Sequence, residues 1–266
     1  STPFAMLLIR FVLVSLVFAA MLTFVRTWRR GEVPRPDLSV IGLAAIVGIA
    51  LHGVYLGSVF FAISIGLSAG ISALIVSMQP LLASVLAIFL FNERLRPVQS
   101  AGLLAGIAGV FIVLLPKMGG GMPPLGLFSV CCGLVAVTGG TLLQKRIGDK
   151  IDLLTGNLAQ TMAASGFLAV ICLTVETPQV SWEMPFLLAL AWQVIMVSAG
   201  AYVILMLLIK RDSMAAVSSL MFLVPPVTAV IAAAGFGEPL TLAGIIGFCL
   251  SSAGVYLVTA NSSPRE

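Results

Sequence analysis

His52, the only histidine of the chain, sits mid-way along an apolar run, and Tyr55 follows it by one helical turn on the same face. Gln79 stands directly before Pro80 in another such run, and Ser219 precedes Pro225 in a third. Trp192, Gln193, Ser198 and Tyr202 share a fourth, where Gly200-x-Tyr202 echoes Gly53-x-Tyr55. Such side chains recognise through hydrogen bonds and ring contacts; they do not break bonds. No carboxylate lies within an apolar run, no nucleophile has a base beside it, and no His/Asp cluster has metal-ligand spacing. An enzyme is therefore not expected, and neither a metal nor a cofactor is implied. Polar groups within apolar runs are costly unless paired or wet. His52, Tyr55, Gln79, Trp192, Gln193, Tyr202 and Ser219 are accordingly candidates to line a cavity.

The two prolines belong with them. A mid-helix proline removes a hydrogen bond to the carbonyl four residues earlier, which is Val76 for Pro80 and Met221 for Pro225. Surrounded by hydrocarbon, a freed carbonyl needs another partner, so interrupted helices face protein or a watery cavity.

Apolar runs of this kind must be membrane spans. The chain is 60% hydrophobic and 9% charged, a composition of integral membrane proteins. Charges and Gly/Pro clusters cut it into nine runs near the length of about 20 residues that a span needs: 4–27, 38–61, 67–91, 97–115, 123–147, 151–174, 185–209, 213–237 and 239–259. The runs are continuous and do not alternate, which excludes a β-barrel. The expected fold is an all-α, polytopic membrane helical bundle.

Residues 67–113 and 212–258 align without a gap. Pro80 falls on Pro225, Glu93 on Glu238, Gly102 on Gly247, and Ala108-Gly-Val on Ala253-Gly-Val. Roughly a quarter of the pairs are identical, well above chance for so apolar a composition. The copies lie five spans apart, so they cross the membrane in opposite senses. An inverted repeat is a signature of secondary transporters, whose sites lie near the midplane on interrupted helices. Nine spans cannot make two five-span copies, so one further helix is expected before Ser1. The halves are then 1–115, lacking that helix, and 123–266, joined by an external linker at 116–122.

Basic residues orient the bundle. Arg26, Arg29, Arg30, Arg35, Arg94, Arg96, Lys145, Arg146, Lys150, Lys210, Arg211 and Arg265 share one side, leaving Lys117 opposite and Arg10 inside the first span. The positive-inside rule makes the rich side, with the C-terminus, cytoplasmic. This asymmetry accounts for the basic balance without any nucleic-acid partner. For Arg10, snorkelling to the outer interface or a local ion pair is expected. Cys131, Cys132, Cys172 and Cys249 all lie in spans and read as small hydrophobes. Thr138, Thr141 and Gln144 on one span, with Asn157, Gln160 and Thr161 on the next, are weaker polar candidates near the cytoplasmic ends. Gly102, Gly106 and Gly109 form a small-residue stripe matched by Gly244, Gly247, Ser251 and Gly254. Such stripes serve close helix packing, and facing lipid they would permit a homodimer beside the monomer.

The stretch Ala62-Ile-Ser-Ile-Gly-Leu-Ser-Ala-Gly70, through Gln79-Pro80 to Phe91-Asn-Glu-Arg-Leu95, resembles the repeat of EamA-type carriers of the drug/metabolite transporter superfamily. Lys210-Arg-Asp212, through Pro225 to Gly237-Glu-Pro-Leu240, is similar to the second copy of that repeat. The resemblance covers nearly the whole chain. It implies ten helices in two inverted halves about a cavity lined by spans 38–61, 67–91, 185–209 and 213–237. It also implies a bacterial inner-membrane exporter of amino acids or related metabolites by alternating access. A histidine, tyrosines and a tryptophan would suit an apolar or aromatic zwitterion. The alternatives are export of drugs or other metabolites and, in another class, a lipid-carrier or structural membrane protein. Partners are then a small-molecule substrate and the lipid bilayer.

Overall fold

The computed structural model of the protein describes residues 1–28, 36–91, 96–118, 122–201, 204, 224–236 and 241–260. Every regular element among them is helical, and seven of the helical stretches are long and apolar enough to cross a membrane, with Met184–Gly200 a shorter apolar helix. In chain order these are α1 (Pro3–Trp28), α2 (Leu38–Gly48), π1 (Ile49–Val54), α3 (Tyr55–Ser64), α4 (Ala69–Val76) and α5 (Gln79–Phe91). Then come α6 (Pro97–Met118), α7 (Pro124–Ile147), α8 (Leu153–Val175), α9 (Met184–Trp192), π2 (Gln193–Gly200), α10 (Val224–Phe236) and α11 (Leu242–Ala260). The polytopic all-α bundle expected from composition is thus the observed one. Glu93, Glu238, the Gly119–Gly121 link and the basic residues Arg29, Arg30, Arg35, Arg94, Lys210, Arg211 and Arg265 lie outside the described residues.

The motif at 62–70 is a reversal between spans. Gly66 has φ +99°, where an L side chain is strained. Its N–H donates to the Ile63 carbonyl (3.0 Å), and the Leu67 N–H donates to the Ala62 carbonyl (2.9 Å). That pair of bonds closes α3 as a Schellman motif, with Leu67 and Ala62 buried in the same cluster. Two residues later Ser68 caps α4, its Oγ accepting from the Ile71 N–H at 3.5 Å.

Pro80 interrupts its span as expected. α4 stops at Val76 and α5 starts at Gln79, so the proline is the second residue of a new helix, where a missing N–H is harmless. The two residues at the break bond back to the turn before it. The Ser77 N–H donates to the Ala73 carbonyl (2.9 Å), the Met78 N–H to Ile75 (3.0 Å), and Ser77 Oγ to the Leu74 carbonyl (2.6 Å). In the second copy the described part of the span is α10, and Pro225, the repeat counterpart of Pro80, lies in it.

The chain packs as two compact units, and each draws on both sequence halves. One comprises Ser1–Phe61 and Gly139–Arg211, the other Ala62–Thr138 and Asp212–Glu266. In the second unit α6 lies against α11. The glycine stripes are the reason. A Cβ on Gly102 would stand 2.8 Å from the Gly254 carbonyl, one on Gly109 would stand 2.6 Å from that of Gly247, and one on Gly254 would stand 2.5 Å from that of Gly102. Ser251 Oγ donates across this contact to the Gly106 carbonyl at 3.3 Å. The stripes expected to face lipid therefore face each other within one chain, because backbone-to-backbone approach satisfies both at once.

Gly254→Val should place two methyls against backbone that cannot move aside, destabilising by about 1–3 kcal/mol. A lowered melting temperature of the detergent-solubilised protein is the expected result. Gly139→Ala is the control, since nothing lies within 4 Å of its Cβ position, and it should melt at or slightly above the parent temperature.

Candidate functional site

The first unit is organised on α8, which packs against α1, α2 and π1, while α1 also meets π2. Asp152 starts α8 cleanly, its carboxylate accepting from the Thr155 N–H at 2.9 Å. The approach of α2 and π1 to α8 is close because two glycines face it. Gly48 lies on the backbone of Gln160, and a Cβ on Gly53 would stand 2.6 Å from the Phe167 ring. Five residues separate the two glycines, which would diverge around an α-helix. The i→i+5 turn of π1 returns them to one face. At its outer ring of contacts the unit is tied by Glu176, whose carboxylate accepts from the Ala5 N–H in the first turn of α1 at 2.8 Å.

π segments inside α-helices are rare and recur at functional sites. Among the described residues there are two, and in the register set by Gly53-x-Tyr55 against Gly200-x-Tyr202, π1 falls on the second half of π2. His52 belongs to π1 and Gln193 opens π2. Within π2, Ser198 Oγ donates to the Gln193 carbonyl five residues back, at 3.1 Å. Backbone groups at both places are engaged differently from those of an α-helix.

Around them a polar group is assembled from five helical elements, α1, π1, α7, α8 and π2. Arg10 Nη1 donates to Gln193 Oε1 at 2.9 Å. The Arg10 guanidinium also lies 5.1 Å from the centroid of the Phe11 ring, and that ring sits 5.0 Å from His52 at 35°. Gln160 lies close to the His52 imidazole. Gln160 Nε2 in turn donates to Gln144 Oε1 at 2.7 Å. Gln160 is only 5% exposed.

Arg10 corrects an expectation. It is 7% exposed, so it does not snorkel, and among the described residues no carboxylate pairs with it. Its Nε is buried with no hydrogen-bond partner. Instead of running toward water, the side chain turns inward to π2. Central arginines cost about 2.5–3.5 kcal/mol even on permissive insertion scales, so an inward, unpaired one needs a reason.

The other sequence candidates divide clearly. His52 and Gln193 join this group. Tyr55, half-buried, opens α3 directly after π1, and Trp192 is 63% exposed on the residue before π2. Gln79 and Pro80, both half-buried, belong to the second unit at the start of α5. Pro225 falls in the helix described as α10, while Tyr202 and Ser219 lie outside the described residues. Sequence reasoning underrated Arg10, Gln144 and Gln160. The available signal for the last two was their shared helical depth; for Arg10 it was the absence of any acid in the spans that could pair with it.

Gln193→Leu should strip the guanidinium of its protein acceptor and destabilise the ligand-free protein by about 1.5–3 kcal/mol. Adding Arg10→Met should recover most of the loss, because the stranded charge goes with it. Melting temperatures of the four members of this double-mutant cycle check the coupling. Additive losses would mean that the 2.9 Å bond carries no energy.

Comparison with known proteins agrees with this architecture. The chain matches the EamA-like transporter family over residues 1–115 and 124–260. It is 26% identical over 201 residues to the uncharacterized transporter YvbV of Bacillus subtilis, covering 75% of this chain and 66% of that protein. The chain thus spans just under two thirds of that relative. A WAT1-related chloroplastic protein of Arabidopsis thaliana is 43% identical over 51 residues, 19% of this chain and 12% of that protein. A crystal structure of 21% identity aligns over 98% of this chain and 88% of its own with a TM-score of 0.64, which supports the fold alone. With both halves of the chain matched by its model, this chain belongs to the EamA-like transporter family.

Proposed function

We propose that this transporter exports amino acids, with apolar or aromatic zwitterions favoured, by alternating access across a bacterial inner membrane with its C-terminus in the cytoplasm. The observation that carries the reading is the group formed by Arg10, His52, Phe11 and Gln193, in and beside two π segments of membrane-spanning helices. It offers a fixed cation, amide and imidazole hydrogen-bonding groups and an aromatic face within one unit, which suits a solute that is charged at one end and apolar at the other. Inverted repeats supply two pseudo-equivalent states, and the break before Pro80 supplies a point where a span can bend, with Pro225 at the matching repeat position. Gln79, Pro80, Trp192, Tyr202, Ser219 and Pro225 are assigned to the same transport path by their repeat positions.

The test is efflux of a labelled amino-acid mixture from liposomes holding the full-length protein, against protein-free liposomes. Selective loss of apolar and aromatic species is expected. His52→Ala and Tyr55→Ala should each slow it about tenfold or more, the scale of one lost polar or ring contact in a binding site, with folded yield unchanged. Unchanged efflux in both variants would remove those residues from the site. A folded protein that moves no amino acid at all would turn the assignment to drugs, other metabolites or a lipid cargo.

A further inference from the structure

Arg10 is the feature that the packing of this protein does not explain. Its guanidinium is nine-tenths buried, yet one of its three nitrogens, Nε, donates to nothing. Gln193 satisfies Nη1 with a neutral oxygen, and the Phe11 ring offers only its quadrupole. Glu176, the acid that meets α1, is engaged with the Ala5 N–H at the first turn of the helix. A guanidinium keeps its proton in any protein, so the positive charge persists in a dry setting, with no counter-charge among the described residues. Five residues along the same helix, Ser15 Oγ is likewise buried without a partner.

We infer that the missing counter-charge is the carboxylate of the transported solute, taken side-on by Arg10 Nε and its neighbouring Nη. This deepens the export reading and rests on it for the solute, though not for the anion site. The planar fork of the guanidinium matches the two oxygens of a carboxylate, and an incoming one would replace desolvation with charge-assisted bonds. Pairing selects the class: a carboxylate matches the guanidinium one to one. The site's remaining positive charge then sits on the solute ammonium, which needs a neutral acceptor beside it. Gln193 Oε1, which accepts from Arg10 Nη1, keeps a second lone pair that can take an N–H of the solute ammonium. Arg10 and Gln193 then read the two ends of a zwitterion, and the Phe11 and His52 rings bound the space beside them.

Thermal melting of the purified full-length protein tests this without requiring transport. Probes are L-phenylalanine, 3-phenylpropionate (carboxylate only), L-phenylalaninamide (ammonium only) and phosphatidylglycerol. L-Phenylalanine and phenylpropionate should raise the melting temperature of the parent, and the amide should not. Arg10→Gln should abolish the carboxylate shifts. Arg10→Lys, which keeps the charge and so guards against loss of folding, should need about tenfold more probe because the fork is lost. No stabilisation by either carboxylate, or shifts that survive Arg10→Gln, would overturn the assignment. Stabilisation by phosphatidylglycerol alone would give the guanidinium to a lipid phosphate and overturn it too. Efflux separates the two readings. Carboxylate shifts lost in Arg10→Gln, without amino-acid efflux by the parent, keep the anion site and sink the export reading. Phenylalanine efflux undiminished in Arg10→Gln does the reverse.

Discussion

Hydrocarbon offers no hydrogen bonds, so a chain that lives in it must satisfy its own backbone. That constraint makes every described element a helix. It also gives each departure from the α-helical ladder a meaning. At Ser77–Met78 the ladder is released by Pro80, and the serine hydroxyl with short i→i+3 bonding fills the gap. At π1 and π2 the ladder widens and carbonyls change partners. The reversal after α3 closes with two bonds and a single left-handed glycine.

The same constraint ranks the polar side chains. Many hydroxyls simply return to their own helix, as Thr138 does to the Leu134 carbonyl and Ser165 to that of Thr161. Those bonds cost little and specify little. Long-range polar contacts are of another kind, because they bind one helix to a chosen neighbour at a chosen rotation. Arg10 with Gln193, Gln160 with Gln144, and Ser251 with Gly106 are of this second kind. Glycine makes them possible by letting backbones approach, with Gly48 and Gly53 serving one unit and Gly102, Gly109 and Gly254 the other.

Much of this was legible in the sequence, for physical reasons. Continuous apolar runs fix where the spans lie, and the repeat fixes Pro80 against Pro225 and the two glycine stripes against each other. Rotation about each helix axis is not encoded so simply. The stripes were read correctly as packing surfaces, yet which surface each would meet depended on tertiary neighbours. Arg10 failed as a snorkelling residue because side-chain length sets reach but not direction, and direction came from the docking of α1 on α8 and π2. The π segments left no trace in composition: Ile49–Val54 is as apolar as an ordinary helix. Only the five-residue interval from Gly48 to Gly53 hinted that the turn there is wide.

The interleaving of the two units has a consequence for how the protein is made. α1 and α2 leave the ribosome early, but the helix on which they dock, α8, begins about ninety residues after π1 and α3 have emerged. At roughly 5–20 residues per second that is an interval on the order of ten seconds. Throughout it, the buried face of α1, with its arginine, must lodge among lipids or the insertion machinery without its partners. Meanwhile α4 to α7 enter the bilayer, and they too await a distant helix, α11, for the glycine contact with α6. Neither unit can be completed by the half of the chain that starts it, so assembly is bound to be late and mutual.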